Sequence, residues 1–218
     1  MTNKQTAAVQ PEKDVLLSFL SSTIAYGKLH KKAVTTAVVI LVLAAVLGYA
    51  YSAHVKNVQE KSWAAYYNAQ LAVMSDPTSI SQLDGVSMQF PGTNAAGYAQ
   101  LLKGDILYAQ ENYAQAADAY EPLLNAHNET LRTVATLSLA AAKQATKDYD
   151  GSIKLMTQFI GKNPKSFALP QAYFTLATSQ ELAGKKQEAV ETYKQILADY
   201  TKTYFGAVAK DRLAVLAK

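Results

Sequence analysis

The chain has 218 residues, half of them apolar, with 21 Lys+Arg, 17 Asp+Glu and no cysteine. Without cysteine there can be no disulfide scaffold, zinc ribbon or thiol chemistry. Residues 1–51 carry five of the basic and two of the acidic residues, so the remainder is nearly neutral; the pI near 9.0 reflects that N-terminal imbalance rather than the basic face that nucleic-acid binding needs.

Residues 1–11 read as disordered. From Asp14, the positions Val15, Leu16, Phe19, Leu20 and Ile24 fall on one helical face, so residues 1–32 form a tail that can hold a short amphipathic helix at a membrane surface. A disordered tail with chance periodicity fits the same residues. Residues 33–51 then run for 19 positions without a charge, from Ala33 to Tyr51. As a helix this run is about 28 Å long, close to the roughly 30 Å of a bilayer core. Tyr49 and Tyr51 stand where an interfacial aromatic belt belongs. Lys13, Lys28, Lys31 and Lys32 precede the run, and only Lys56 and Lys61 follow it within twenty residues. That asymmetry predicts a cytoplasmic N-terminus and an outward-facing remainder. Ala50-Tyr51-Ser52 is a passable signal-peptide cleavage site, but the preceding n-region of 32 residues is long. The run is therefore read as a retained anchor.

Residues 52–218 are long enough for a sizeable core. Apolar residues recur there at three- and four-residue steps, which predicts an all-helical domain. Three segments align without gaps: Asn112 to Leu124, Asp148 to Ile160 and Lys185 to Leu197, spaced by 36 and then 37 residues. Each has a small residue (Ala116, Ser152, Ala189) and a bulky one four positions later (Tyr120, Met156, Tyr193), followed by Leu123-Leu124, Phe159-Ile160 or Ile196-Leu197. Residues four apart share a helix face, so the small one admits a close crossing and the bulky one fills the core. Leu139-Ala140 and Leu176-Ala177 are the large-then-small pairs of preceding helices, with Gly104 in the small position of the first. Gly184 marks a turn and Asn163-Pro164 a boundary.

These residues resemble the tetratricopeptide repeat (TPR), whose period is near 34. The expected fold class is all-α: one N-terminal transmembrane helix followed by a TPR-type solenoid. The predicted units are a degenerate repeat at 60–92, repeats at about 95–128, 129–165 and 166–202, and a capping helix at 203–217. Trp63 and Pro91 fall at the aromatic and proline positions of the degenerate unit, and Asp76-Pro77 reads as a helix cap and first helical residue. Pro122 lies inside a second helix and is expected to remove a backbone bond or bend it.

The boundaries Phe90-Pro91-Gly92-Thr93, Asn163-Pro164-Lys165-Ser166 and Tyr200-Thr201-Lys202-Thr203, the stretch Trp63 to Val73 and the single span together resemble the YfgM-like family. That resemblance implies a bacterial inner-membrane protein with a periplasmic TPR domain, ancillary to the Sec translocon. Its expected partners are translocon subunits and periplasmic chaperones or emerging client chains. An envelope scaffold in outer-membrane assembly or division is the alternative. No catalytic constellation, nucleotide motif or metal-ligand spacing is visible: His30, His54 and His127 lack second ligands. Neither enzyme activity, a cofactor nor a small-molecule substrate is expected.

A solenoid binds along a groove lined by its first helices. In the repeat register that lining is Tyr98, Leu101, Asp105 and Tyr108, then Val134, Leu137, Ala141 and Gln144, then Gln171, Phe174, Thr178 and Glu181. Tyr98, Tyr108 and Phe174 are the aromatic anchor candidates, each equally able to pack between repeats. TPR domains that grip acidic C-terminal tails carry basic residues where this chain has Leu101, Leu137 and Phe174, so such tails are not expected to bind. The apolar lining suits an extended segment or a partner helix.

Overall fold

The computed structural model describes the backbone of residues 12–217 and the side chains of residues 17–217. Residues 1–11, read as disordered, lie outside that range, as do the side chains of Val15 and Leu16. Ten α-helices and no strand occur among the described residues. They fall into two compact units, residues up to 57 and residues 58–218.

The first unit holds α1 (Glu12–Leu29) and the N-terminal part of α2 (Lys31–Ser75). Phe19, Leu20 and Ile24 of α1 are exposed. So is every residue of the apolar stretch of α2, and α2 is long and apolar enough to cross a membrane. Thr35 and Thr36 return their hydroxyls to the carbonyls of Lys31 and Lys32, which satisfies them within the helix.

The second unit is a run of antiparallel helix pairs. The C-terminal part of α2 pairs with α3 (Ser81–Gln89). Then follow α4 (Asn94–Ala109) with α5 (Tyr113–Tyr120), α6 (Glu129–Ala145) with α7 (Tyr149–Lys162), α8 (Leu169–Leu182) with α9 (Lys186–Asp199), and a closing α10 (Tyr204–Leu216). From α3 onward each helix packs on the next in sequence, and α4, α6, α8 and α10 also touch successively. This is solenoid connectivity.

The small–bulky pairs explain the packing. Ala116, Ser152 and Ala189 are fully buried, and so are Tyr120, Met156 and Tyr193. Gly104 lets the Tyr120 ring lie directly on α4, because a Cβ there would overlap ring atoms Cδ1 and Cζ at 2.8 Å. Side-chain caps start four helices. Thr93, Asn128, Asp148 and Thr203 accept from the N–H groups of Ala96, Leu131, Gly151 and Gly206 at 3.0–3.2 Å, each contributing about 1 kcal/mol. Asp76 likewise accepts from the N–H of Thr78 at 2.9 Å, ahead of a 3-10 turn at Pro77–Ile80. Pro122 has the expected effect: α5 stops at Tyr120 and Glu121–Asn125 continue as a 3-10 turn.

The turns inside the three full pairs place Glu111, Lys147 and Gly184 at φ values of 63°, 66° and 76°. These positions are again 36 and 37 residues apart. Only the third uses glycine, the residue that takes this left-handed conformation without steric cost.

Candidate functional site

The groove positions divide into those filled by the chain itself and those left open. Leu101 and Leu137 are buried in the hydrophobic clusters between helices. Tyr98 is half-buried against the first cluster, with its ring 5.7 Å from that of Trp63, and Val134 joins the same cluster. Phe174 packs its ring against Tyr193 and Phe205 at 6.3 and 5.6 Å.

Between α6 and α8 the polar positions bond to one another. The Gln144 amide donates to the Thr175 carbonyl (3.0 Å), to Thr178 Oγ1 (2.8 Å) and to Ser179 Oγ (2.7 Å). At the last interface, Glu181 forms an ion pair with Arg212 of α10 and accepts from the Tyr193 hydroxyl at 3.1 Å. Burial, then the Glu181 carboxylate, pushes the Tyr193 phenol up to about 12. Gln171 is exposed.

Between α4 and α6 the face is open. Asp105, Tyr108, Tyr120, Ser138 and Ala141 line a shallow pocket of about 250 Å³. The Tyr120 hydroxyl donates to Asp105 Oδ1 at 2.7 Å. Partial desolvation raises the Asp105 pKa above the ordinary carboxylate range, an effect the Tyr120 bond only partly offsets. Burial, then Asp105, raises the Tyr120 phenol strongly. Tyr108 is exposed at the rim with its ring edge-on to Tyr113 at 5.0 Å. Asp105 also acts electrostatically on Tyr66, whose ring lies 5.6 Å from that of Trp63.

So Asp105, Tyr108 and Ala141 come together, while Gln144, Thr178, Phe174 and Glu181 are engaged within the fold. The register did not single out Ser138 as part of this face. Its one sequence signal is position: it lies 37 residues before Thr175, which lies 37 before Arg212. Among the described residues, no group of three or more His, Asp or Glu is placed to hold a metal ion.

Residues 26–169 match the tetratricopeptide repeat-like domain family, and residues 171–203 match the tetratricopeptide repeat. The chain belongs to the tetratricopeptide repeat-like domain family. It is 29% identical over 119 residues to small glutamine-rich tetratricopeptide repeat-containing protein 2 of Saccharomyces cerevisiae, covering 52% of this chain and 33% of that protein. The chain thus spans about a third of the length of this curated relative. Two crystal structures of nearly identical TPR-like repeats from a Podosopora anserina kinesin light chain protein superpose with TM-scores of 0.54, at 17% and 18% identity. They cover 75% of this chain and 84% and 85% of theirs, and show the solenoid fold alone. TPR domains are in general protein-interaction scaffolds rather than enzymes, which fits the open first-helix face.

Proposed function

We propose that this chain is a membrane-anchored TPR adaptor that binds protein segments along the first-helix face. The observation that carries this reading is the contrast along that face. The α6–α8 and α8–α10 interfaces are filled by Gln144 and Arg212, whereas the α4–α6 interface presents Asp105, Tyr108 and Ser138 to solvent around an unfilled pocket. Tyrosine is among the residues enriched at binding hot spots. The exposed apolar stretch of α2 supplies the anchor, because a soluble protein rarely leaves so large an apolar surface uncovered.

The finer reading is an accessory factor of the Sec translocon, with its N-terminus in the cytoplasm and its repeats in the periplasm. There it links the channel to periplasmic chaperones or emerging chains. The basic flank before the apolar run and the span-then-repeats layout support it. Photo-crosslinking residues at Val42 and Tyr108 in living cells, with adducts identified by mass spectrometry, test both levels. Channel subunits at Val42 with chaperones or nascent chains at Tyr108 support the translocon reading. Envelope-assembly proteins at Tyr108 without channel subunits at Val42 overturn it and leave the adaptor as a scaffold. The absence of any protein adduct at Tyr108 overturns the adaptor reading itself.

A further inference from the structure

Two interfaces of the solenoid bond a buried second-helix tyrosine to a first-helix carboxylate, the carboxylates lying about one turn apart in register, and only one of the two adds an arginine. In the last full repeat, the buried Tyr193 on α9 sends its hydroxyl to a carboxylate on the first helix, Glu181, at 3.1 Å. The guanidinium of Arg212, on the next first helix, closes the arrangement. Its Nε donates to Glu181 Oε2 at 3.2 Å and a terminal nitrogen to Oε1, and it also reaches the Tyr193 hydroxyl.

In the first full repeat, the register-equivalent Tyr120 on α5 sends its hydroxyl to Asp105 on the first helix at 2.7 Å. The position on the next first helix that corresponds to Arg212 is Ser138, which reaches the Tyr120 hydroxyl but brings no charge. None of the ion pairs among the described residues involves Asp105. Where Arg212 sits in one interface, the other has a pocket of about 250 Å³.

We propose that the pocket between α4 and α6 receives the guanidinium group of an arginine presented by the bound protein segment, with Asp105 as its counter-ion. This rests on the adaptor reading and names the chemistry of the partner. A planar guanidinium suits the site better than an ammonium for two reasons. It can bond the carboxylate and Ser138 at once through its forked donors, and it can lie against the exposed ring of Tyr108. The chain's own use of Arg212, not a lysine, in the parallel interface points the same way. The carboxylate that helps hold the partner in place is one that no cation pairs among the described residues.

The test uses the full chain in dodecylmaltoside micelles and N-acetyl-L-arginine methylamide as probe, read by saturation-transfer difference NMR. The expected result is saturable binding, at least fivefold weaker for the lysine analogue and absent for the isosteric, uncharged citrulline analogue. Asp105→Asn, which preserves shape, should weaken the probe at least tenfold. Ser138→Arg should fill the pocket from within and block the probe. If that variant misfolds by circular dichroism, Asp105→Asn decides alone. No binding, equal binding of citrulline, or binding unchanged in Asp105→Asn overturns the assignment. Loss of the probe with Tyr108 crosslinks intact overturns the arginine assignment alone. Probe binding without any Tyr108 crosslink overturns the adaptor reading instead.

Discussion

Replacing Gly104 with alanine should have opposite effects depending on what residue 120 is. In the native chain, a Cβ on Gly104 would stand 2.8 Å from Cδ1 and Cζ of Tyr120. That ring is 1% exposed and its hydroxyl is tied to Asp105 at 2.7 Å, so it has little freedom to withdraw. Overpacking of this kind costs about 1–3 kcal/mol. The gain from removing a glycine inside a helix is about 1 kcal/mol. The net expectation for Gly104→Ala is a loss of up to about 2 kcal/mol, a fall in Tm of up to about 8 °C for a chain of this size. In a Tyr120→Val background the ring is gone and only the helix term remains. The same substitution should then stabilise by up to about 1 kcal/mol, a coupling of about 1–3 kcal/mol between the two positions. Urea unfolding of the four proteins in micelles, followed by circular dichroism at 222 nm, measures the cycle. Equal effects of Gly104→Ala in both backgrounds would refute the claim that the Tyr120 ring makes glycine necessary there.

Other outcomes follow from the same structure. Gly206→Ala should be more damaging, because its Cβ would meet backbone carbonyl oxygens of Tyr200 and Thr201, the latter at 2.8 Å, which cannot rotate away; hydrogen exchange should show α10 losing protection while α7 keeps it. Gly85→Ala, exposed in α3 with nothing within 4 Å, should stabilise by about 0.5–1 kcal/mol in the same urea assay. Two carboxylates should respond oppositely to pH. A bond from Lys143, then one from the Gly151 N–H, holds Asp148 below its ordinary range, so its stabilisation is present above the unfolded carboxylate pKa and lost as pH falls through the lower folded value. Asp148→Asn should therefore flatten the acid limb of the Tm–pH curve below about pH 4. Burial holds Asp105 above its ordinary range, so its charged form costs stability once pH exceeds the unfolded value. Asp105→Asn should raise Tm at pH 7 but not at pH 3, and a lower Tm at pH 7 would contradict that reading.

The solenoid was legible because its determinants are local. A small residue and a bulky one four positions later occupy one helix face, so Ala116 with Tyr120 and Ala189 with Tyr193 reveal a second helix and its buried side without tertiary knowledge. Pro122 was legible for the same reason, since a missing N–H acts on its own helix. The state of the groove was not. The bonds of Gln144 to Thr178 and Ser179, and of Glu181 to Arg212, join residues 31–35 positions apart. Whether such a side chain faces a ligand or its own neighbour depends on the rotation between successive repeats, which no local pattern encodes. The left-handed turns at Glu111 and Lys147 were hidden too, because neither residue type marks that conformation. Trp63 reads as a repeat-position aromatic, but its meeting with Tyr98 depends on where α2 lies against α4.

The buried polar contacts between the second and third full pairs, α6/α7 and α8/α9, have a further consequence. Ser179 Oγ donates to Ser152 Oγ at 2.8 Å, deep in the interface, and the Gln144 amide donates to Ser179 at 2.7 Å. An array of look-alike units faces an indexing problem, since greasy surfaces of similar shape can dock on the wrong neighbour. At the matching places the first pair offers Tyr108 for Gln144 and Ala116 for Ser152. A unit seated one position out of order would strand the Ser152 hydroxyl and the Gln144 amide in an apolar interface, at about 1–3 kcal/mol for each unpaired group, while Ser179 would keep its bond to the Thr175 carbonyl. Oily contacts hold the stack together, but it is this small chain of hydrogen bonds that tells the third pair which neighbour is its own.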